Sequence, residues 1–192
     1  MFTDVKLKIR KKNKILFSRE SESLQGLRNL ICRQTHLTLV LWALDCVQVP
    51  LQQLIKKYPQ ETDIPSAYDC SLAWAHGEIK MPIAKKAILA CHGAAKRMNN
   101  AADIALCHAV GQGCAAVHVE THALGLAFYE LTAIVAQCGY ENFEEQVQNK
   151  IGFYVDKLIW WQDNGETCRN AEKWADFLLR SADENKEMLL NM

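Results

Sequence analysis

Between residues 87 and 127 the chain is dominated by Ala, Gly and Cys. Small side chains let helix backbones approach closely, so this stretch predicts the central, tightly packed layer of a helical protein. Only four Pro and nine Gly occur in 192 residues, which argues against a strand-rich, turn-rich fold. Apolar spacing elsewhere is also helical. Leu24, Leu27, Leu30 and Ile31 define a helix over 22–33, and the apolar run 35–57 a longer one that Pro50 breaks or kinks. Asp63-Ile64-Pro65 starts a helix that Gly77 stops, and Pro82 starts the next. Asn99-Asn100 separates that helix from two more, over about 101–118 and 122–137, with Thr121 as a candidate cap. Residues 142–162 and 168–181 read as a pair of helices joined by an Asp163-Asn164-Gly165 turn, and 183–192 as a last short turn. The expected fold class is therefore all-α, a compact bundle of seven to eight helices with short connections.

The N-terminus carries a different signal. Val5, Leu7 and Ile9 alternate with Lys6, Lys8 and Arg10, a strand period. Lys11-Lys12-Asn13-Lys14 can turn such a strand back into Ile15-Leu16-Phe17 as a short N-terminal hairpin. The expected organisation is a basic segment over 1–20 and a single helical domain over 21–192.

Hydrophobic residues make up 49% and charged residues 23%, enough for a sizeable core without staples and too apolar for a disordered chain. No run reaches the length of uninterrupted apolar residues that a membrane span requires. MFTDVKLKIRKKNKILF has neither the apolar core nor the cleavage site of a secretory signal, so a cytoplasmic location is expected. Net charge is zero but unevenly placed, +5 over residues 1–20 and −5 over 141–192. A nucleic-acid binder would normally be basic as a whole, so no nucleic-acid partner is expected, nor a membrane. The basic head can meet an acidic partner or the chain's own acidic tail. With no CxxC pair and most thiols inside helical runs, the eight cysteines read as reduced, small buried hydrophobes.

One stretch carries potential chemistry. On a single continuous helix Cys107, Cys114, His118 and His122 would share a face, because each residue turns about 100°. His at i and i+4 is the spacing that offers two imidazoles to one metal. Glu120 lies between them and would point about 200° from His118, so the motif is not that of a zinc protease. His118, His122 and Cys114 thus form a candidate but incomplete set for zinc or another divalent metal. His92 or a distant carboxylate is a further option as ligand. The alternative is that His118 and His122 are hydrogen-bonded between packed helices. Asp45, a carboxylate in the apolar run Leu41-Trp42-Ala43-Leu44-Asp45-Cys46, could join His118 and His122 in a buried polar cluster. His108 falls on another face, and His36, near a helix end, reads as solvated or capping. Gly111-Gln112-Gly113 has no preceding strand and reads as close helix packing rather than a dinucleotide loop. No nucleophile elbow is present, and no catalytic residue is assigned. All five tryptophans read as core, unless Trp160 and Trp161 are exposed, which would mark a partner surface.

Three segments, LWALDC (41–46), AWAHGEI (73–79) and HAVGQGCAAVHVETHALGLAFYEL (108–131), resemble in this order the immunity-protein-5-like family of bacterial immunity proteins in polymorphic toxin systems. The resemblance spans about 36–136, with Cys at several small-residue positions (Cys91, Cys107, Cys114). It implies a helical cytoplasmic protein whose partner is a cognate toxin and which inhibits by binding, without catalysis or cofactor. The rival reading is a metal- or small-ligand-binding helical protein, a hydrolase among its options, built on His118 and His122. A homodimer is compatible with either.

Overall fold

The computed structural model describes residues 2–179 and 185–190, which contain helices and no strand. The α-helices are α1 (Thr3–Arg10), α2 (Gln25–Ile31), α3 (His36–Cys46), α4 (Gln48–Lys57), α5 (Asp63–Ala75), α6 (Met81–Ala94), α7 (Ala101–Ala115), α8 (Thr121–Gln137), α9 (Glu144–Ala171), α10 (Asp176–Leu179) and α11 (Lys186–Leu189). Single 3₁₀ turns, Glu22–Leu24 and Ala95–Arg97, precede α2 and follow α6. The all-α class is as expected, with more segments than seven or eight.

Helix α7 is the centre. It packs on α3, α4, α5, α6 and α8, and its sequence shows why. A helix surrounded on all sides can have no polar stripe, and eleven of its fifteen residues are buried, nearly all of them Ala, Gly, Cys, Leu or Val. Gly113 lets α3 and α4 close in, since a Cβ there would lie 2.9 Å from Val47 Cγ2. Cys91 and Cys107 donate their thiols to each other's carbonyl oxygens and so join α6 to α7. Asn100 caps α7, accepting from Ala102 N and Asp103 N.

Helices α3 and α4 nearly merge. The stretch His36–Lys57 has the length and apolarity of a membrane span, but most of it is buried inside the protein, with α3 against α9 and α4 against α7. The interruption falls at Val47 and not at Pro50, which sits in the first turn of α4, where its missing N–H costs nothing.

Two expectations are corrected. Residues 3–10 form helix α1, not the strand of a hairpin. Val5 and Ile9 are four residues apart and share one helical face toward the core, while Leu7 is left exposed. Phe2 packs edge-on against Phe143 and Lys6 pairs with Glu144. Asp163-Asn164-Gly165 is not a turn either, because α9 runs unbroken through it. Glycine inside a helix costs about 1 kcal/mol relative to Ala. A Cβ at Gly165 would meet Thr38 Oγ1 at 3.6 Å and Leu41 at 3.9 Å, ordinary contacts, so the glycine is not forced by crowding and the packing of α9 along α3 carries the helix through it. Of the helix expected over 168–181, the last two residues lie outside the described residues.

The basic head does meet the acidic tail. Arg19 grips the fully buried Glu187 through two bonds, 2.8 and 2.9 Å, and Arg28 adds a third at 3.3 Å. Leu16, Phe17 and Val5 belong to the main core cluster, so residues 2–20 pack into the same body as the helices that follow.

Candidate functional site

The residues singled out by spacing fall around the turn between α7 and α8. Helix α7 stops at Ala115, and α8 begins only at Thr121. The fixed rotation per residue is therefore lost across 116–120, and the single face carrying Cys114, His118 and His122 does not form. His118 is exposed, with its ring tilted against Trp74 at 5.9 Å. His122 donates from Nδ1 to Gln112 Oε1 at 2.8 Å. Cys114 is fully buried beside Cys70 and Ser71 of α5, and burial pushes its thiol up to about 12, which keeps it protonated.

Asp45 does not join His118 and His122. It lies on the face of α3 that meets α9, where it accepts from Lys157 (2.9 Å) and Trp161 Nε1 (2.9 Å). Among the described residues no group of three or more His, Cys, Asp or Glu side chains is placed to hold a metal ion.

The residue that matters most in this turn is the one between the histidines. Glu120 occupies the N-cap position of α8, where the helix dipole favours a carboxylate, but its side chain bonds no helix N–H. It is 4% exposed and turned toward α3, with Oε1 3.8 Å from His36 Nδ1. Its Oε2 has no hydrogen-bond partner among the described residues. His36 is neither solvated nor a cap. Its Nε2 lies 2.8 Å from the Ala116 carbonyl oxygen, which can only accept. Nε2 therefore carries a proton, and in the neutral ring Nδ1 presents a lone pair toward Glu120. Glu120 and His36 both line a cavity of about 720 Å³ between the α2–α3 connection, α9 and the C-terminal segment, with Gln34, Thr38, Gln162 and Arg169 among its walls.

A second constellation joins histidines that the sequence keeps apart. His92 of α6 and His108 of α7 face each other, Nδ1 to Nδ1 at 2.9 Å, and His108 lies against Tyr129 of α8. One nitrogen must donate and the other accept, which holds the pair below full protonation. Gly111 creates the space, since a Cβ there would come within 2.5 Å of the His92 ring. The glycine read as close packing was the available signal, although it did not name its partner.

Burial, reinforced by His108 and His122, brings His92 down to about 4, and burial also lowers His108 and His122. A depressed folded-state value means that the unfolded chain binds more protons between pH 6.5 and 4, so stability is full above that window and falls as pH drops through it. The His92 ring is partly exposed, and screening cuts its share to about 1–2 kcal/mol. Denaturant titrations at pH 7 and pH 4.5 check this. The loss on acidification should shrink by that amount in His92→Gln, and an unchanged loss would reject the assignment.

The third feature is a shallow concavity of about 520 Å³ on α9, lined by Asp45, Phe153, Asp156, Lys157, Trp160 and Trp161. Trp42, Trp74 and Trp174 are buried, as expected of core residues. Trp160 is 50% exposed, its ring perpendicular to that of Trp161 at 4.7 Å. Trp161 is in turn tied to Asp45.

These features define an all-helical protein whose internal polar groups are mostly spent holding helices together, with an aromatic patch left at the surface. The chain matches the model of the Imm-5 like putative immunity protein family over residues 29–157, two thirds of its length, and it belongs to that family. The match covers His36, Asp45, Cys114, His118, Glu120 and His122 and ends three residues before Trp160. No curated protein and no solved structure matches the chain significantly.

Proposed function

We propose that this immunity-family protein binds a cognate toxin in the cytoplasm and neutralises it by masking, with no reaction catalysed. The observation that carries this reading is Trp160. A half-exposed tryptophan braced edge-on by a second one, itself hydrogen-bonded to Asp45, is a preorganised anchor that loses little side-chain entropy on binding. Asp156 and Lys157 beside it supply charges at the rim, where they set orientation and on-rate more than affinity. The excess of acidic groups over 141–192 favours a basic partner surface.

Co-expression with the toxin encoded beside the gene tests this reading. Cells should survive, and native mass spectrometry of the captured protein should show one added protein mass at fixed stoichiometry. Cell death with both proteins present would reject the proposal. No specific observation favours the rival zinc-binding reading, since Cys114 faces α5 and no third ligand stands beside His118 and His122 among the described residues.

A further inference from the structure

A cavity of about 620 Å³ opens between the C-terminal ends of α1 and α8 and the start of α7. Its volume is that of an ordinary small-molecule site. Ile9, Leu16, Ile104 and Ala136 make an apolar inner wall. The Thr132 hydroxyl in that wall is already spent, accepting from Leu16 N at 3.0 Å and donating to the Phe128 carbonyl oxygen at 2.7 Å. A polar ligand body would lose its hydrogen bonds to water there and gain none from this wall, so the interior selects an apolar one. The mouth has the opposite character. Lys12 and Lys14 line it, and no acid is among the described lining residues. Nearby lysines are engaged, Lys6 by Glu144 and Lys8 by Ser18, whereas neither Lys12 nor Lys14 has an ion-pair or side-chain hydrogen-bond partner among the described residues. The backbone of the mouth is unusual as well. Lys12 and Tyr140, both lining the cavity, have φ of 56° and 66°, a region that non-glycine residues occupy at a cost. Lys12 directly follows the C-cap of α1, the position that glycine fills best. A lysine kept there against the backbone preference fits a site that uses its ammonium.

We propose that this cavity binds an aliphatic monocarboxylate, with its chain along Ile9, Leu16 and Ile104 and its head at Lys12 and Lys14. The two halves of the site ask for the two halves of such a molecule. Burying the chain supplies the affinity, and the exposed ammonium groups fix which end stays at the mouth. A nucleotide or a sugar phosphate fits less well, because its polar body would meet the apolar wall. An aliphatic amine fits less well, because its head would face two cations. The described C-terminal residues meet the body at the other end of α8. Glu187 and Leu190 are held by Arg19 and Arg28, and Arg19 reaches the Thr121 carbonyl oxygen, about 16 Å along α8 from Thr132. The site also lies apart from the Trp160 patch, none of whose residues lines it. Its test uses the chain alone, so its outcome is independent of whether the toxin reading holds.

The experiment is an amide NMR titration of the full chain with sodium hexanoate, octanoate and decanoate below their micelle concentrations, referenced to sodium chloride at equal ionic strength. Saturable shifts are expected around Ile9, Ile104, Ala136 and Tyr140, with a Kd of about 0.1–1 mM for octanoate. Each step of two methylenes should tighten binding about tenfold. Octylammonium chloride should bind at least about tenfold more weakly than octanoate. Lys12→Asn combined with Lys14→Gln should weaken octanoate about threefold to tenfold and leave 1-octanol unchanged. Asparagine is chosen at position 12 because it tolerates the left-handed backbone. Ala101→Trp, at an exposed position on the wall, should fill the cavity and abolish the shifts with both lysines intact. It keeps the test decisive if the lysine variant does not fold. Absence of saturable shifts with decanoate, an affinity that ignores chain length, octylammonium binding as tightly as octanoate, or shifts that survive Ala101→Trp would each overturn the proposal.

Discussion

Lys150→Met is expected to lower the free energy of unfolding by about 3–5 kcal/mol. Lys150 of α9 pairs with Glu130 of α8 at 2.7 Å, and Glu130 is only 2% exposed. The Tyr154 hydroxyl donates a short hydrogen bond to the second oxygen of Glu130, and the Tyr154 carbonyl accepts from Trp42 Nε1 at 2.9 Å. The ammonium also sits over the rings of Phe153 and Tyr154, at 4.3 and 4.9 Å. One network therefore ties α3, α8 and α9 together. Burial raises the Glu130 carboxyl, and Lys150 and Tyr154 pull it back only in part. Methionine keeps the apolar stem of the lysine but leaves the acid without its cation, so Glu130 must be buried charged and unpaired or be protonated. The double variant Glu130→Met with Lys150→Met should recover only part of the loss, since an apolar pair of similar volume removes the unpaired charge but leaves the buried Tyr154 hydroxyl without its acceptor. Urea denaturation of the two variants decides the point. A single-variant loss below about 1 kcal/mol would mean that the pair contributes no more than a surface salt bridge.

The second large effect is expected in binding. Trp160→Ala should weaken the complex with the toxin by about 2–4 kcal/mol, a rise of roughly 30- to 1000-fold in Kd. The free protein should lose no more than about 1 kcal/mol, the value of one edge-to-face contact with Trp161. Isothermal titration of the toxin with parent and variant separates the two quantities. Trp42→Ala is the contrasting control. Its ring is fully buried against Tyr154, so it should unfold the protein before any interface is tested. A change in Kd below about threefold for Trp160→Ala would place the docking face elsewhere on the molecule.

The elements that the sequence made legible have a strong local cause. Asn100 caps α7, Gly77 with φ of +75° ends α5, and Pro82 opens α6, each acting within a few residues of chain. The elements it missed have weak or ambiguous local causes. An alternation as short as Val5-Leu7-Ile9 also contains a helical i, i+4 pair, and only the core beneath α1 selects between them. At Gly165 a turn signal worth about 1 kcal/mol was outweighed by the packing of α9 along α3.

The candidate site follows the same division. Gly111 and Gly113 announced tight packing, but the sequence did not say that the imidazole of His92 would fill the space beside Gly111. His118 and His122 drew attention by their spacing, and the end of α7 at Ala115 made that spacing irrelevant. Glu120 was discounted because it pointed away from them on an ideal helix, and that departure is what carries it into the cavity beside His36.

By itself, the sequence determined the helical class, the central place of the small-residue layer and the family, because helix formation and close packing depend on side-chain size and spacing along the chain. Only the tertiary structure decided which polar groups met: Asp45 with Lys157 and Trp161, His92 with His108, Glu130 with Lys150, and Glu120 with His36. These partners come from helices distant in sequence, and their pairing depends on how those helices rotate and slide against each other. That arrangement is set by the packing of the whole core and is written in no local pattern of residues.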